Sequence, residues 1–343
     1  MSWAAATRRP TTTRPVGDAV PGYRHVFGPV PSRRLGRSLG IDTVPSKTCN
    51  WNCVYCQLGR THPLTNIRRS HVPPQAILAE AEARLAELDR REIDWITLVS
   101  SGEGTLYRDF GAVLRGIKRM TSVPVAVITN GSLLSLPEVR EELRVADAVL
   151  PTLDAGNEAL FRRLNRPHRQ LTFARHVAGI EAFARMRRRG KLWIEVMLVA
   201  GLNDTEPALR ELAALLSRIR PDAIHLTLPS RCPVEPWVRA PEAEGLARAQ
   251  AILGEKASIA PAPKPQHQTK TKGGDPVIAS VALRHPLRMA DIEKLLPGWT
   301  PKRIDAHIAK LLVNGTLRTI ERGGERFLVR SELRYPGHRR ASA

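Results

Sequence analysis

The run Leu39-Gly-Ile-Asp-Thr-Val44 leads at once into Pro45-Ser-Lys47-Thr-Cys49-Asn-Trp-Asn-Cys53-Val-Tyr55-Cys56, a short β-like segment opening into a loop that holds three of the chain's four cysteines. Thiols spaced by three and then two residues can grip three corners of one cubane. With no fourth cysteine nearby, one iron is left open to a non-protein ligand. A structural zinc site ordinarily shows paired knuckles and four ligands, and here His62, His71 or Cys232 would have to complete it. Clustered rather than scattered cysteines point to a reducing compartment, and the chain is expected to be cytoplasmic.

Working outward, the same pattern of apolar run, polar turn and amphipathic helix recurs from Ser38 to Pro229. The strands read as Leu39 to Val44, Trp95 to Val99, Val123 to Ile128, Ala148 to Leu153, Leu192 to Leu198 and Ala223 to Leu228. Their near-continuous apolar character suits parallel strands covered on both faces. Helices are expected over Pro74 to Arg90, Phe110 to Met120, Pro137 to Arg144, Phe173 to Arg189, Thr205 to Arg220 and Pro241 to Gly254. Right-handed βα units of this number make an α/β fold, a partial (β/α)6 TIM-type barrel.

The proline-bearing stretch from Ala257 to Pro276 has the composition of a linker. Beyond it, Val277 to Leu283 and Met289 to Leu296 read as short helices. Thr300-Pro301 caps a third helix with Ile304, Ile308, Leu311 and Leu312 on one face and Lys302, Arg303 and Lys310 on the other. Two β-like runs flank Gly323-Gly324, a hairpin turn. This order resembles a small C-terminal winged helix-turn-helix domain, with Arg322 and Arg326 on a wing near phosphate. The expected organisation is a disordered basic arm (1–22), a barrel (23–254), a linker (255–276), the winged-helix-like domain (277–335) and a disordered tail (336–343).

The whole chain has 343 residues, 42% of them apolar, with 53 Lys and Arg against 33 Asp and Glu. That composition excludes a disordered or collagenous chain, and the longest apolar runs fall short of the roughly 18 residues that cross a bilayer, so no membrane partner is expected. The formal charge of +20 gathers at the ends: residues 1–40 hold seven Arg against Asp18, and residues 271–343 hold 14 basic side chains against seven acids. A polyanion such as RNA or DNA fits that field, and so does a plain solvated basic surface.

CNWNCVYC matches the CxxxCxxC motif of the radical S-adenosylmethionine (SAM) superfamily. The longer string FGPVPSRRLGRSLGIDTVPSKTCNWNCVYCQLGRT, with SGEGTL and LNRPH downstream, resembles the subgroup related to wyosine-type tRNA base synthases, over about Tyr23 to Trp237. The resemblance implies a 4Fe-4S cluster on Cys49, Cys53 and Cys56, reductive cleavage of SAM to a 5′-deoxyadenosyl radical, and hydrogen abstraction from a substrate. It also implies a one-electron donor such as flavodoxin or ferredoxin. By resemblance, Ser101-Gly102-Glu103 stands where the superfamily holds the SAM amino group, with Ser101 replacing a glycine, and Tyr55 stands where an aromatic lies against adenine.

Barrel chemistry collects at the C-terminal ends of strands, and those ends here carry Glu103, Asn130, Thr152, Asp154 and Asn203. Such groups can hydrogen-bond a ribose or carboxylate, or simply shape turns. Arg33, Arg34 and Arg37 read as a basic lip beside the mouth. Arg231 can hold an anionic substrate group, Cys232 reads as a buried structural thiol, and Lys47 as a substrate or phosphate contact; no side chain is assigned a catalytic role. The substrate is expected to be RNA, in particular tRNA, although the single spare cysteine argues against the second cluster of the wyosine-type enzymes. A peptide or small-molecule substrate is the alternative within the enzyme class, and an iron-sulfur DNA-binding redox regulator the alternative outside it.

Overall fold

The computed structural model describes residues 23–186, 189–260, 275–296 and 298–336. Eight strands form one sheet in chain order: β1 (Val26–Ser32), β2 (Gly36–Ile41), β3 (Trp95–Leu98), β4 (Val125–Thr129), β5 (Ala148–Pro151), β6 (Lys191–Met197), β7 (Ala223–Thr227) and β8 (Ala257–Ile259). From β2 to β8 every neighbouring pair is parallel, whereas β1 runs antiparallel to β2. The sheet is a partial barrel whose terminal strands, β1 and β8, do not pair with each other.

Helices α1 (Pro74–Glu87), α2 (Phe110–Met120), α3 (Pro137–Leu143), α4 (Glu158–Leu164), α5 (Phe173–Arg185), α6 (Glu206–Ile219) and α7 (Ala243–Leu253) follow the strands. On α6, Leu209, Leu212, Leu216 and Ile219 recur at helical spacing and are buried, so this stripe faces the sheet. Gly116 on α2 lets α1 come close: a Cβ there would lie 2.5 Å from a Leu78 methyl.

Two strands depart from expectation. β1 carries Pro29 and Pro31, residues that lack an amide hydrogen and are tolerated on a sheet edge, where β1 lies. β8 occupies 257–259, inside the stretch read as linker, and pairs with β7. The expected basic arm at 1–22 lies outside the described residues, as do 261–274 and, of the expected tail at 336–343, all but Pro336.

The β1–β2 turn divides the expected basic lip. The turn begins at the N-terminal end of the parallel strands, where Arg37 stays, but Arg33 reaches Ser230 beyond the C-terminal end of β7. Arg37 binds Asp94, just before β3, through both its side chain and its amide. Arg34 turns into the barrel and pairs with Glu195 of β6 at 2.6 Å, while Leu35 packs among Ala126, Ala148, Leu150 and the partly buried Trp95 and Trp193.

Beyond 274, α8 (Asp275–Arg284), α9 (Met289–Leu295) and α10 (Pro301–Val313) precede the antiparallel pair β9 (Leu317–Arg322) and β10 (Glu325–Arg330). Thr300 caps α10 through Arg303 N, and Ile304, Ile308 and Leu311 are buried in a cluster private to this unit. A second cluster joins the unit to the barrel: Ile320, Phe327, Leu333 and Tyr335 pack on Leu58, Cys232 and Val234. On the other flank Arg284 sits over the Phe27 ring, 4.5 Å from its centroid, and 3.6 Å from the Asp42 carboxylate. The unit thus reaches from the β1 flank to the segment after β7, spanning the lateral gap between the sheet's two edges. Arg322, expected to be free on a wing, is instead buried and donates to the carbonyls of Glu321 and Pro336, because that face of the hairpin is the one that docks. Arg326 stays exposed beside Glu321.

Candidate active site

The loop that carries the cysteines is held from three directions. Lys47 N donates to Ser101 O at 2.6 Å, and Glu103 N donates to Thr48 O at 2.8 Å, binding the loop to the tip of β3. A Cβ on Gly102 would lie 2.0 Å from that same Thr48 oxygen, so the glycine is required by the loop's own approach. On a second side Asn52 N and Val54 N donate to Asn165 O and Leu164 O, and His168 N donates to Asn50 O. On the third, Asn50 Nδ2 donates to Ser132 Oγ and Asn130 Nδ2 donates to Asn50 Oδ1, at 2.8 and 2.7 Å, near the tip of β4.

Cys49, Cys53 and Cys56 are free and half-buried in this loop. Burial pushes the Cys49 thiol up to about 12, against the pull of the Lys47 ammonium, and pushes Cys53 up well beyond its ordinary value. Lys47 Nζ lies 3.2 Å from Cys56 Sγ. Burial works against the Lys47 charge, but Cys56, Cys49 and Cys53 outweigh it and the Lys47 pKa rises. The donor set suits an iron-sulfur cluster: three soft sulfurs in one pocket, with a cation beside them to balance negative charge. Among the described residues no three His, Cys, Asp or Glu side chains converge as a cage for a single metal ion.

Glu103 is 2% exposed. Its Oε1 accepts from Thr105 N, Thr105 Oγ1 and Thr129 Oγ1, and its Oε2 from Asn130 N at 2.6 Å. Each carboxylate oxygen offers about two lone-pair directions, so Oε2, which accepts a single bond, retains one for a further donor such as an ammonium. Ser101, in the place of the expected glycine, donates Oγ to Asp42 at 2.6 Å, and Asp42 also accepts the Ser101 amide.

Asp154 is buried at the end of β5, bonded by Tyr55 OH, Asn165 Nδ2 at 2.7 Å and Met197 N at 2.8 Å. Burial pushes its pKa up to about 6 against these three bonds. Tyr55 places its ring in the apolar cluster of Val54, Leu164, Val199 and Val238. Asn203 is fully engaged as a staple, accepting from Val199 N and donating to Asp154 O and Met197 O. The Thr152 carbonyl accepts from His176 Nε2 at 3.1 Å. Glu103, Asn130, Thr152, Asp154 and Asn203 therefore lie along neighbouring strand ends beside the cysteine loop.

Sequence reasoning passed over Asn50 and Asn165, which fasten the loop. Their signal lay in strings already singled out, CNWNC and LNRPH. Cys232 is completely buried against the C-terminal unit, and burial pushes its thiol up to about 12, in keeping with an inert packing role. Arg231, which follows β7, bonds to Gln57 and His285.

A partial parallel barrel with three thiols at the C-terminal ends of its strands defines a class, and comparison with known proteins gives the same one. Residues 43–216 match the model of the Radical SAM superfamily, and the chain belongs to that superfamily. It is an S-adenosylmethionine-dependent radical SAM enzyme, and such enzymes use a 4Fe-4S cluster. A UPF0026 protein of Methanocaldococcus jannaschii is 33% identical over 314 residues, covering 89% of this chain and 95% of that protein. A Brachyspira hyodysenteriae protein named GTPase Obg is 40% identical over 208 residues, 61% of this chain but 30% of its own length. Among solved structures, TYW1 with a lysine-pyruvate adduct bound superposes with a TM-score of 0.44 at 15% identity, over 87% of this chain and 81% of that one. No helix among the described residues is long and apolar enough to cross a membrane.

Proposed function

We propose that Cys49, Cys53 and Cys56 hold the 4Fe-4S cluster and that SAM binds beside it, against the strand ends bearing Glu103, Asn130, Thr152, Asp154 and Asn203. The observation that carries this reading is the threefold fastening of the cysteine loop, which presents three sulfurs next to a buried carboxylate with one lone pair to spare. A cluster held by these thiols would supply the electron for reductive cleavage of SAM to a 5′-deoxyadenosyl radical, the agent of hydrogen abstraction from a substrate. The chain's own residues do the positioning. Glu103 receives the SAM amino group, Gly102 keeps the loop close, and Lys47 offsets negative charge on Cys56. Tyr55 and Asn203 act through Asp154, holding the wall against which the nucleoside lies.

The substrate in this reading is RNA, in particular tRNA, supported by the charge of +20. The region from 277 to 335 acts as a winged-helix-like domain whose hairpin docks on the barrel at 23–254, leaving the basic face of α10 outward with Lys302 and Arg303 exposed. The enzyme works in the cytoplasm with a flavodoxin- or ferredoxin-type donor. Anaerobic reconstitution of the full chain, followed by SAM and dithionite, tests the assignment. 5′-Deoxyadenosine is expected from the native chain, and Glu103→Gln should weaken SAM binding about tenfold or more, the scale of a hydrogen bond to a charged group. SAM affinity unchanged in that variant would contradict the placement of Glu103.

A further inference from the structure

In the lateral gap of the barrel, three segments bring four guanidinium groups together. Arg33 and Arg34 come from the β1–β2 turn, Arg231 from the segment after β7, and Arg288 from the turn between α8 and α9. Two of the four are neutralised: Arg34 pairs with Glu195 at 2.6 Å, and Arg288 with Asp291 at 3.2 Å and Glu325 at 3.4 Å. Among the described residues Arg33 and Arg231 have no carboxylate within ion-pair distance.

Both are held by neutral groups instead. Arg33 Nη2 donates to the Ser230 hydroxyl. Arg231 Nη1 donates to Gln57 Oε1 and to His285 Nδ1, and Gln57 Nε2 is itself tied to the Arg284 carbonyl at 2.9 Å. His285 suits this acceptor role because burial, with Arg231 and Arg284 beside it, drives its pKa well below the ordinary value and keeps it neutral. Crowding of its guanidinium and then the nearby Arg33 push the Arg231 pKa down to about 10, although the residue as a whole is exposed. Two guanidiniums fixed side by side repel each other, and the carboxylate that acts on Arg231 from a distance, Asp291, is already paired with Arg288.

We propose that Arg33 and Arg231 form a phosphate-binding site in the lateral gap, linked through Gln57 to the end of the cysteine motif, that anchors a phosphorylated substrate for chemistry inside the barrel. The inference rests on the reading of that loop as the cluster site. A single carboxylate is satisfied by one guanidinium fork. A phosphate, with three or more acceptor oxygens, can bridge two forks arriving from different segments. Gln57 adjoins Cys56 in sequence, so an anchored phosphate stands next to the loop on which the reaction depends.

The phosphate can belong to an RNA backbone or to a phosphorylated small molecule, and the test separates these sources. The cluster-loaded full chain is titrated anaerobically with inorganic phosphate by calorimetry, beside Arg33→Lys, Arg231→Lys, the double Arg33→Gln/Arg231→Gln variant and the exposed-surface control Arg91→Ala. Native chain and control should bind phosphate alike, each lysine variant more weakly, and the double variant about tenfold or more weakly, as expected for lost charge-assisted bonds. Displacement of phosphate by a nucleoside monophosphate identifies a small-molecule source, and displacement by a short RNA alone identifies a polynucleotide. Either supports the site. Equal phosphate affinity in the double variant, no phosphate binding by a folded native chain, or acetate competing as well as phosphate overturns it. Cluster absorbance read on the same samples keeps the two readings apart: an intact cluster without phosphate binding removes this site alone, and phosphate binding without a cluster removes the other.

Discussion

Gly102 and His176 show how single residues set the site's tolerance. A methyl group at 102 would meet the Thr48 carbonyl at 2.0 Å, and backbone cannot yield there without moving the cysteine loop. Gly102→Ala is expected to destabilise the chain by about 1–3 kcal/mol, the usual cost of overpacking, and to lower iron incorporation in reconstitution, measured as iron per chain. His176 is buried, stacked on Phe161 and bonded to the Thr152 carbonyl. Burial holds its pKa down at about 4, against 6.5 for the unperturbed group. Between those values the unfolded chain binds the extra proton and the folded chain does not, so stability rises with pH and is lost as pH falls from 6.5 toward 4. The loss attributable to this residue is about 3 kcal/mol at most. His225, also held near 4 by burial and by Arg34, titrates in the same window. Comparing His176→Phe with the native chain by denaturant unfolding across that range isolates the first: the variant's profile should be flatter, and parallel profiles would contradict the assignment.

At the scale of elements, the parallel strands were legible because being covered on both faces demands unbroken apolar runs, α2 because its apolar stripe is regular, and α10 because its cap and stripe agree. β1 was hidden because prolines and glycine obscure an edge strand. With it went the direction of the Arg33–Arg37 turn, so that Arg37's tie to Asp94 and Arg34's turn into the barrel were not foreseen. In the site, residue types at strand ends were readable, but their hydrogen-bond partners were not. That Glu103 is caged by Thr105, Thr129 and Asn130, or that Asn203 is used up as a staple, depends on register between strands far apart in sequence. The turn's ion pair inside the barrel is Arg34–Glu195. Arg34→Met leaves a carboxylate without its cation and is expected to cost about 3–5 kcal/mol, whereas Arg34→Met with Glu195→Leu should lie within about 1 kcal/mol of the native chain or above it. Equal loss in single and double variants, read from chemical unfolding, would show that the turn packs for other reasons.

For the whole molecule, the lateral gap couples the two halves of the chain. Asp42 binds Ser101 on the barrel side and Arg284 from the C-terminal unit, while Arg60 N donates to Arg334 O at 2.6 Å. Arg284→Ala should loosen this seam and speed hydrogen exchange at the Arg60 amide, with the core of α6 unaffected; unchanged exchange at Arg60 would mean that the apolar cluster around Phe327 and Tyr335 holds the unit alone. A docked hairpin also explains why charge at the C-terminal end is unevenly available, since Arg322 is spent on carbonyls while Arg326 faces water. All of this organises one centre. The measurement that tests it most directly is Mössbauer spectroscopy, with iron and sulfide analysis, of the anaerobically reconstituted full chain before and after SAM. The account requires a 4Fe-4S cluster with one iron whose signal changes when SAM binds, lost in Cys49→Ser, Cys53→Ser or Cys56→Ser. A redox-silent tetrahedral metal on these thiols, or a cluster indifferent to SAM, would contradict it.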